Sequence, residues 1–144
     1  MFGLVAGIAV IAALDRAGLP VMNRVFLPRA AESGCRVLRV VDGDTLTLAC
    51  PGIGIARSRL VGVDAPEIFS PRCARELRLG LTAKLRVQAR LWTARDLAIV
   101  RQGRDRYDRV LTTVFVDGES LSRWLVDEGL GRPYDGGARA GWCS

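Results

Sequence analysis

The stretch VVDGDT, Val40 to Thr45, decides how the rest of the chain is read. Asp-Gly between two apolar, β-branched runs is the strongest short-range hairpin signal, because a type I′ turn needs positive φ and these residues tolerate it. Asp42 and Gly43 are therefore expected to form the turn, joining strands over 35–42 and 44–50. Asp44 is left over. A strand favours a β-branched residue there, so a second carboxylate calls for a chemical reason, and a metal ion would supply one.

The hairpin also orders the cysteines. Counting outward equally from the turn sets Cys35 opposite Cys50. The other two, Cys73 and Cys143, would then tie the later chain back to the body. Four free thiols in a cytosolic protein are the alternative. No CxxC pair occurs, which argues against structural zinc and thioredoxin-like chemistry.

Ahead of Cys35 the chain has a different character. Phe2 to Leu14 is an uninterrupted apolar run of 13 residues, shorter than the ~18–20 of a membrane span. It has the length of a signal-peptide core, but no Lys or Arg precedes it and only a loose cleavage site, PRAAES, follows. Residues 1–34 are read as a signal or anchor segment plus linker, with membrane attachment through residues 2–14 and an extracytoplasmic location as expectations. A buried core helix is the alternative. Residues 35–144 form the domain, a length that suits one core.

Composition narrows the chemistry. Histidine is absent from all 144 residues. This removes Ser-His-Asp triads, Cys-His pairs and zincin motifs at once. A general base must then be Asp, Glu, Cys, Tyr or Lys84, the one lysine, and a metal must be held by oxygen or sulfur. The net charge is +6, carried almost wholly by arginine. Arginine suits bidentate phosphate contacts, although a GC-rich genome produces the same bias.

Beyond the hairpin, 55–63 reads as a third strand that Pro66 stops. The segment after Pro71 places Leu77, Leu81, Leu85, Leu91 and Trp92 at helical spacing, with Gly80 as a weak point. DLAIVRQ and VLTTVFV are the fourth and fifth strands, and Asp117-Gly118 closes the last. SLSRWLVDEG is a short helix with Leu121, Trp124 and Leu125 inward and Gly129 as its stop. Five such strands in about 100 residues suit a small closed barrel better than a parallel sheet.

Four short motifs fall in order along this frame: DGDT at 42–45, Arg59 to Glu67 (RLVGVDAPE), Asp105 to Arg109 (DRYDR) and Leu125 to Tyr134 (LVDEGLGRPY). Together they resemble the staphylococcal nuclease (thermonuclease) family over residues 36 to about 134. The resemblance implies a mainly β fold with helices, a five-stranded OB-fold barrel. It implies calcium-dependent phosphodiester hydrolysis of DNA and RNA leaving 3′-phosphate ends. Asp44 and Asp64 match the calcium-ligating aspartates, and Ala65 the residue that offers calcium a backbone carbonyl. Glu67 matches the general base, and Arg59 and Arg109 the phosphate-binding arginines. Arg106 and Tyr107 match positions lining the nucleotide end.

The residues support that reading independently. A phosphodiester is an anion that repels hydroxide. Ca²⁺ takes oxygen ligands and tolerates irregular geometry, two arginines can fork onto phosphate oxygens, and a carboxylate can deprotonate water. Asp42 would assist from behind Asp44. Two features stand against it. Strict alternation puts Arg59 and Asp64 on opposite strand faces, unless the strand bulges or ends near Gly62. Asp108 stands where the family has glycine, which puts the geometry of Arg109 in question. The rival readings are a non-catalytic OB-fold module that binds nucleic acid or protein, and a membrane-anchored adaptor. No protein partner is evident, and a monomer is expected.

Overall fold

The structure is a computed structural model and describes residues 34–144. The apolar run and linker of residues 1–33, with the expectations placed on them, lie outside the described residues. Five long strands and two helices make up the body: β1 (Arg36–Asp42), β2 (Thr45–Cys50), β3 (Gly54–Leu60), α1 (Ala74–Trp92), β5 (Leu97–Arg104), β6 (Val110–Val116) and α2 (Leu121–Asp127). Three two-residue strands complete it: β4 (Val63–Asp64), β7 (Glu119–Ser120) and β8 (Arg132–Pro133). The main sheet runs β1-β2-β3-β6-β5, with β7 on β6, while β4 pairs with β8 separately. Only β3–β6 is parallel among these pairings. The mixed sheet with two helices is consistent with an OB-fold. Its hydrogen-bonded path has β1 and β5 at its ends, so the expected closure is not a continuous ladder among the described residues.

The first hairpin differs from expectation. Asp42 pairs with Thr45, so Gly43 and Asp44 form the loop, one residue further on than the Asp-Gly signal implies. Neither has positive φ. The type I′ reading fails here and holds elsewhere. Asp117 and Gly118 have φ 50° and 82° between the paired Val116 and Glu119, as such a turn requires. Gly43 is needed for space instead. A Cβ on it would lie 2.9 Å from the Cβ atoms of both Ala65 and Ala83. The cysteine pairing survives because two register shifts in β1 offset the displaced turn. Cys35–Cys50 and Cys73–Cys143 are both disulfides.

The helix α1 also turns a different face inward. Leu77, Leu81 and Leu85 are only half-buried, whereas Gly80, Ala83, Val87 and Leu91 are fully buried together with Lys84 and Gln88. Small residues set this rotation. A Cβ on Gly80 would meet the carbonyl oxygens of Pro66 and Glu67 at 2.9 and 3.0 Å. The weak point in the helix is thus where the loop carrying Glu67 rests against it. Ala83 accepts the hairpin turn next to it. In α2, Leu121 and Leu125 are buried and Trp124 packs at the core's margin. Gly129 (φ 71°) follows the helix, with its N–H on the Val126 carbonyl, as expected of a C-terminal stop.

The third strand ends earlier than expected. After Leu60 the chain turns at Val61-Gly62, where Gly62 has φ 86°, and resumes as β4. The core lies between α1 and the sheet, with Leu46, Leu48, Leu60, Leu91, Ile99 and Leu125 almost wholly excluded from water.

Candidate active site

The break after β3 settles how Arg59 and Asp64 share a site. With the strand ended and redirected at Gly62, Asp64 returns to the side chain of Arg59, and their nearest atoms are 3.6 Å apart. Asp44 completes the group. Its Oδ2 accepts from Arg59 Nη1 at 2.8 Å and from the Ala65 amide at 2.8 Å. Its Oδ1 accepts from the Thr45 hydroxyl at 3.0 Å. Arg59 also donates to the Val63 carbonyl at 3.2 Å. All three charged side chains are buried, as is Ala65. Four of the expected residues are therefore brought together by the hairpin loop, the end of β3 and β4.

The balance of charge in this group is negative. Asp42 is buried directly behind Asp44, its Oδ1 accepting the Asp44 amide at 3.2 Å. Burial, and then the Asp44 carboxylate, push its pKa up to about 8. Burial likewise raises the pKa of Asp64 against the pull of Arg139, while Asp44 adds to the rise and Arg59 opposes it. Asp64 Oδ1 is buried and accepts no hydrogen bond among the described residues; guanidinium nitrogens face it at ion-pair distance instead, Arg139 Nε at 3.3 Å and Arg59 Nη2 at 3.6 Å. A buried carboxylate in a negative cluster is costly unless cations face it. All the side-chain donors here are hard oxygens. The residues fit a calcium-like ion, which takes carboxylate, carbonyl and water oxygens. Among the described residues no three acidic or cysteine side chains converge as a metal cluster. Asp44 and Asp64 would thus share the ion with water and backbone.

Glu67 stands at the rim, with its side chain 39% exposed. It faces a cavity of about 370 Å³ together with Asp64, Ala65, Glu76 and Arg139. A carboxylate beside the buried pair, yet in reach of water, has the placement a general base needs.

The other expected residues line an adjoining cavity of about 500 Å³ with Arg59, Tyr134 and Arg139. Arg109 is held by Asp105, whose Oδ2 accepts from Arg109 Nε at 2.7 Å and whose Oδ1 accepts the Arg109 amide at 2.9 Å. Tyr107 is exposed, with the guanidinium groups of Arg106 and Arg109 at 4.9 and 5.4 Å from its ring centre. Such a ring with flanking cations can take a base and its phosphate. Asp108 does have positive φ, 62°, but it does not engage Arg109. Its carboxylate pairs with Arg104 at 3.1 Å instead.

Three further residues of the site escaped the sequence. Asp105 was visible four positions before Arg109, a separation that permits a side-chain pair. Tyr134 lies at the end of the fourth motif, and its ring centre is 5.5 Å from the Arg59 guanidinium. Arg139 lies beyond the last of the four motifs, which ends at Tyr134. Its Nε is 3.3 Å from Asp64 Oδ1 and its Nη1 3.2 Å from Glu67 Oε1. Burial works against its charge, but Asp64 and the neighbouring acids hold its pKa above the ordinary value. The available signal was Cys73, six residues after Glu67: a bridge from there to Cys143 brings residue 139 to the site.

Residues 57–139 match the family profile described as staphylococcal nuclease homologue. Curated relatives include an uncharacterized endonuclease of Haemophilus influenzae, 30% identical over 72% of this chain and 53% of its own length. A thermonuclease of Staphylococcus hyicus is 33% identical over 74% of this chain and 62% of its own. The succinoglycan biosynthesis protein ExoI of Rhizobium meliloti is 34% identical over 69% and 52%. The chain thus spans about half the length of the curated relatives it matches.

Proposed function

Because the chain belongs to the staphylococcal nuclease homologue family, we propose that it hydrolyses phosphodiester bonds of DNA or RNA with little sequence preference, using calcium. The observation that carries this reading is the buried Asp44–Arg59–Asp64 group, negative in balance and opening beside Glu67 onto an arginine-lined cavity. Relatives that bear endonuclease and thermonuclease names support it.

Asp44 and Asp64 would hold the calcium ion, with the Ala65 carbonyl as a further ligand by family resemblance. A calcium ion held by these residues would supply positive charge for a phosphate oxygen and make phosphorus more electrophilic. Arg59 and Arg109 fork onto the remaining oxygens, most strongly as charge builds in the transition state. Glu67 takes a proton from the attacking water. Tyr107 and Arg106 steady the nucleotide at the outer end. Among the described residues no element built to read a base edge is evident, which fits the proposed low sequence preference. Two disulfides support an extracytoplasmic location.

Cleavage of a labelled oligonucleotide in calcium against excess chelator tests the reading. Activity is expected to need calcium at roughly 10⁻⁴–10⁻³ M, as at weak extracellular sites. Glu67→Gln is expected to keep nucleic-acid binding and lose about 10²–10⁴-fold in rate. Binding without cleavage under all conditions would favour the non-catalytic OB-fold module instead.

A further inference from the structure

Three arginines of the site, Arg59, Arg109 and Arg139, are anchored differently. Arg59 sits on β3 with a buried carboxylate at 2.8 Å. Arg109 precedes β6 and is held by Asp105. Arg139 comes from an irregular segment, its side chain is 41% exposed, and its partners are the two carboxylates proposed to hold the cation and to accept the proton. It also lines both cavities, the acidic one around Glu67 and the basic one around Arg109. Rotation of its side chain would carry the guanidinium from one to the other, past the Tyr134 ring it already borders at 5.6 Å. The backbone need not follow. It is fixed on one side by Tyr134, whose hydroxyl donates to the Gly137 carbonyl at 2.9 Å. On the other side are the stack of Arg132 on Trp142 at 4.0 Å and the Cys73–Cys143 bridge.

We propose that Arg139 is a tethered counter-cation that neutralises Asp64 and Glu67 until a divalent ion binds, then turns into the arginine-lined cavity to meet the substrate phosphate. The proposal rests on the metal-dependent nuclease reading above. Its physical basis is that a guanidinium and a divalent ion compete for the same carboxylate oxygens and repel one another. Once freed, Arg139 adds a forked donor to the cavity that Arg59 and Arg109 already line. By linkage, cation binding and phosphate binding then favour each other through this one side chain.

The test is calcium titration of the full chain by calorimetry, comparing wild type with Arg139→Gln, followed by steady-state cleavage of a single-stranded oligonucleotide. Arg139→Gln is expected to bind calcium roughly tenfold more tightly and to show a KM raised several-fold, with kcat changed much less. Arg139→Lys keeps the charge but cannot bridge two carboxylates through a planar fork, and should fall between the two. It also serves as the readout should the glutamine variant fail to fold. Calcium binding to wild type that is unchanged or weakened in both variants overturns the proposal alone. Tighter calcium binding with an unaltered KM removes the phosphate role. No calcium binding by any of the three proteins overturns the metal reading and this inference together.

Discussion

Asp105 shows how one carboxylate can order the groups around it. It takes the backbone amides of Tyr107 and Arg109 and the Nε of Arg109, which fixes both the loop and the guanidinium. Burial opposes the charge, but these bonds hold its pKa below the ordinary 3.8. The sign follows: its contribution is complete above 3.8 and is lost as pH falls through the lower folded value. Asp105→Asn is expected to lower kcat/KM roughly tenfold, a positioning loss of about 1.4 kcal/mol, with calcium affinity unchanged. Its deficit in melting temperature against wild type should narrow as pH falls from about 5 to about 2. A constant deficit across that range would mean that the carboxylate charge is not what holds Arg109. Asp108 is the contrasting case, since its carboxylate is spent on the exposed Arg104. Asp108→Gly relieves the positive φ and removes a negative charge near the phosphate path. It is expected to raise kcat/KM about two- to threefold at low salt and hardly at all at high salt. A lowered rate would show that the Arg104 pair supports the loop in front of Arg109.

At the scale of elements, the site depends on three close approaches. The hairpin loop, the loop carrying Glu67 and α1 meet through Gly43, Gly80, Ala65 and Ala83. Gly43→Ala would drive a methyl against two others that are fixed to their backbones. A cost of about 1–3 kcal/mol is expected, with Asp44 displaced and calcium binding weakened. Thermal melting with and without calcium checks this, and an unchanged melting temperature would mean that the loop shifts freely. The same contacts explain what the sequence did and did not disclose. Alternation marked the strands, and β6 follows it closely, with Val110, Thr112, Val114 and Val116 all inward. Leucine spacing misread α1, because helix rotation is set by which face is small enough to come near, and not by which is most apolar. The Asp-Gly pair at 42–43 misled for a related reason, since its glycine answers a neighbour's bulk and not its own φ. Arg59 and Asp64 could be named as candidates from the sequence, but their meeting depended on the chain reversal at Gly62. Arg139 had no local pattern to give it away.

At the scale of the whole molecule, the two bridges do different work. Cys35–Cys50 spans 15 residues and staples the first hairpin, worth about 3 kcal/mol in a chain-entropy account. Cys73–Cys143 spans 70 residues, worth about 4 kcal/mol on the same basis. Non-reducing peptide mapping is expected to recover these two links. Four free thiols, or a Cys50–Cys73 link, would refute the pairing and weaken the extracytoplasmic reading. The bridges also differ in what they hold. The first secures core residues beside α1, whereas the second starts at the N-cap of α1 and ends beside Trp142.

That second bridge has a consequence for the order of events in biosynthesis. A chain is made from its N-terminus, so the hairpin and its bridge can form while most of the sequence is still to come. Cys143 follows every strand and helix described here. The last covalent link can close only after the rest has had the chance to fold, and the segment bearing Arg139 is secured with it. A newly made molecule would pass through an interval in which the sheet and both helices are in place and the guanidinium over Asp64 and Glu67 is not yet fixed. Maturation of this protein would then be timed by an oxidant, and the age of a molecule would be written in the state of a single sulfur pair.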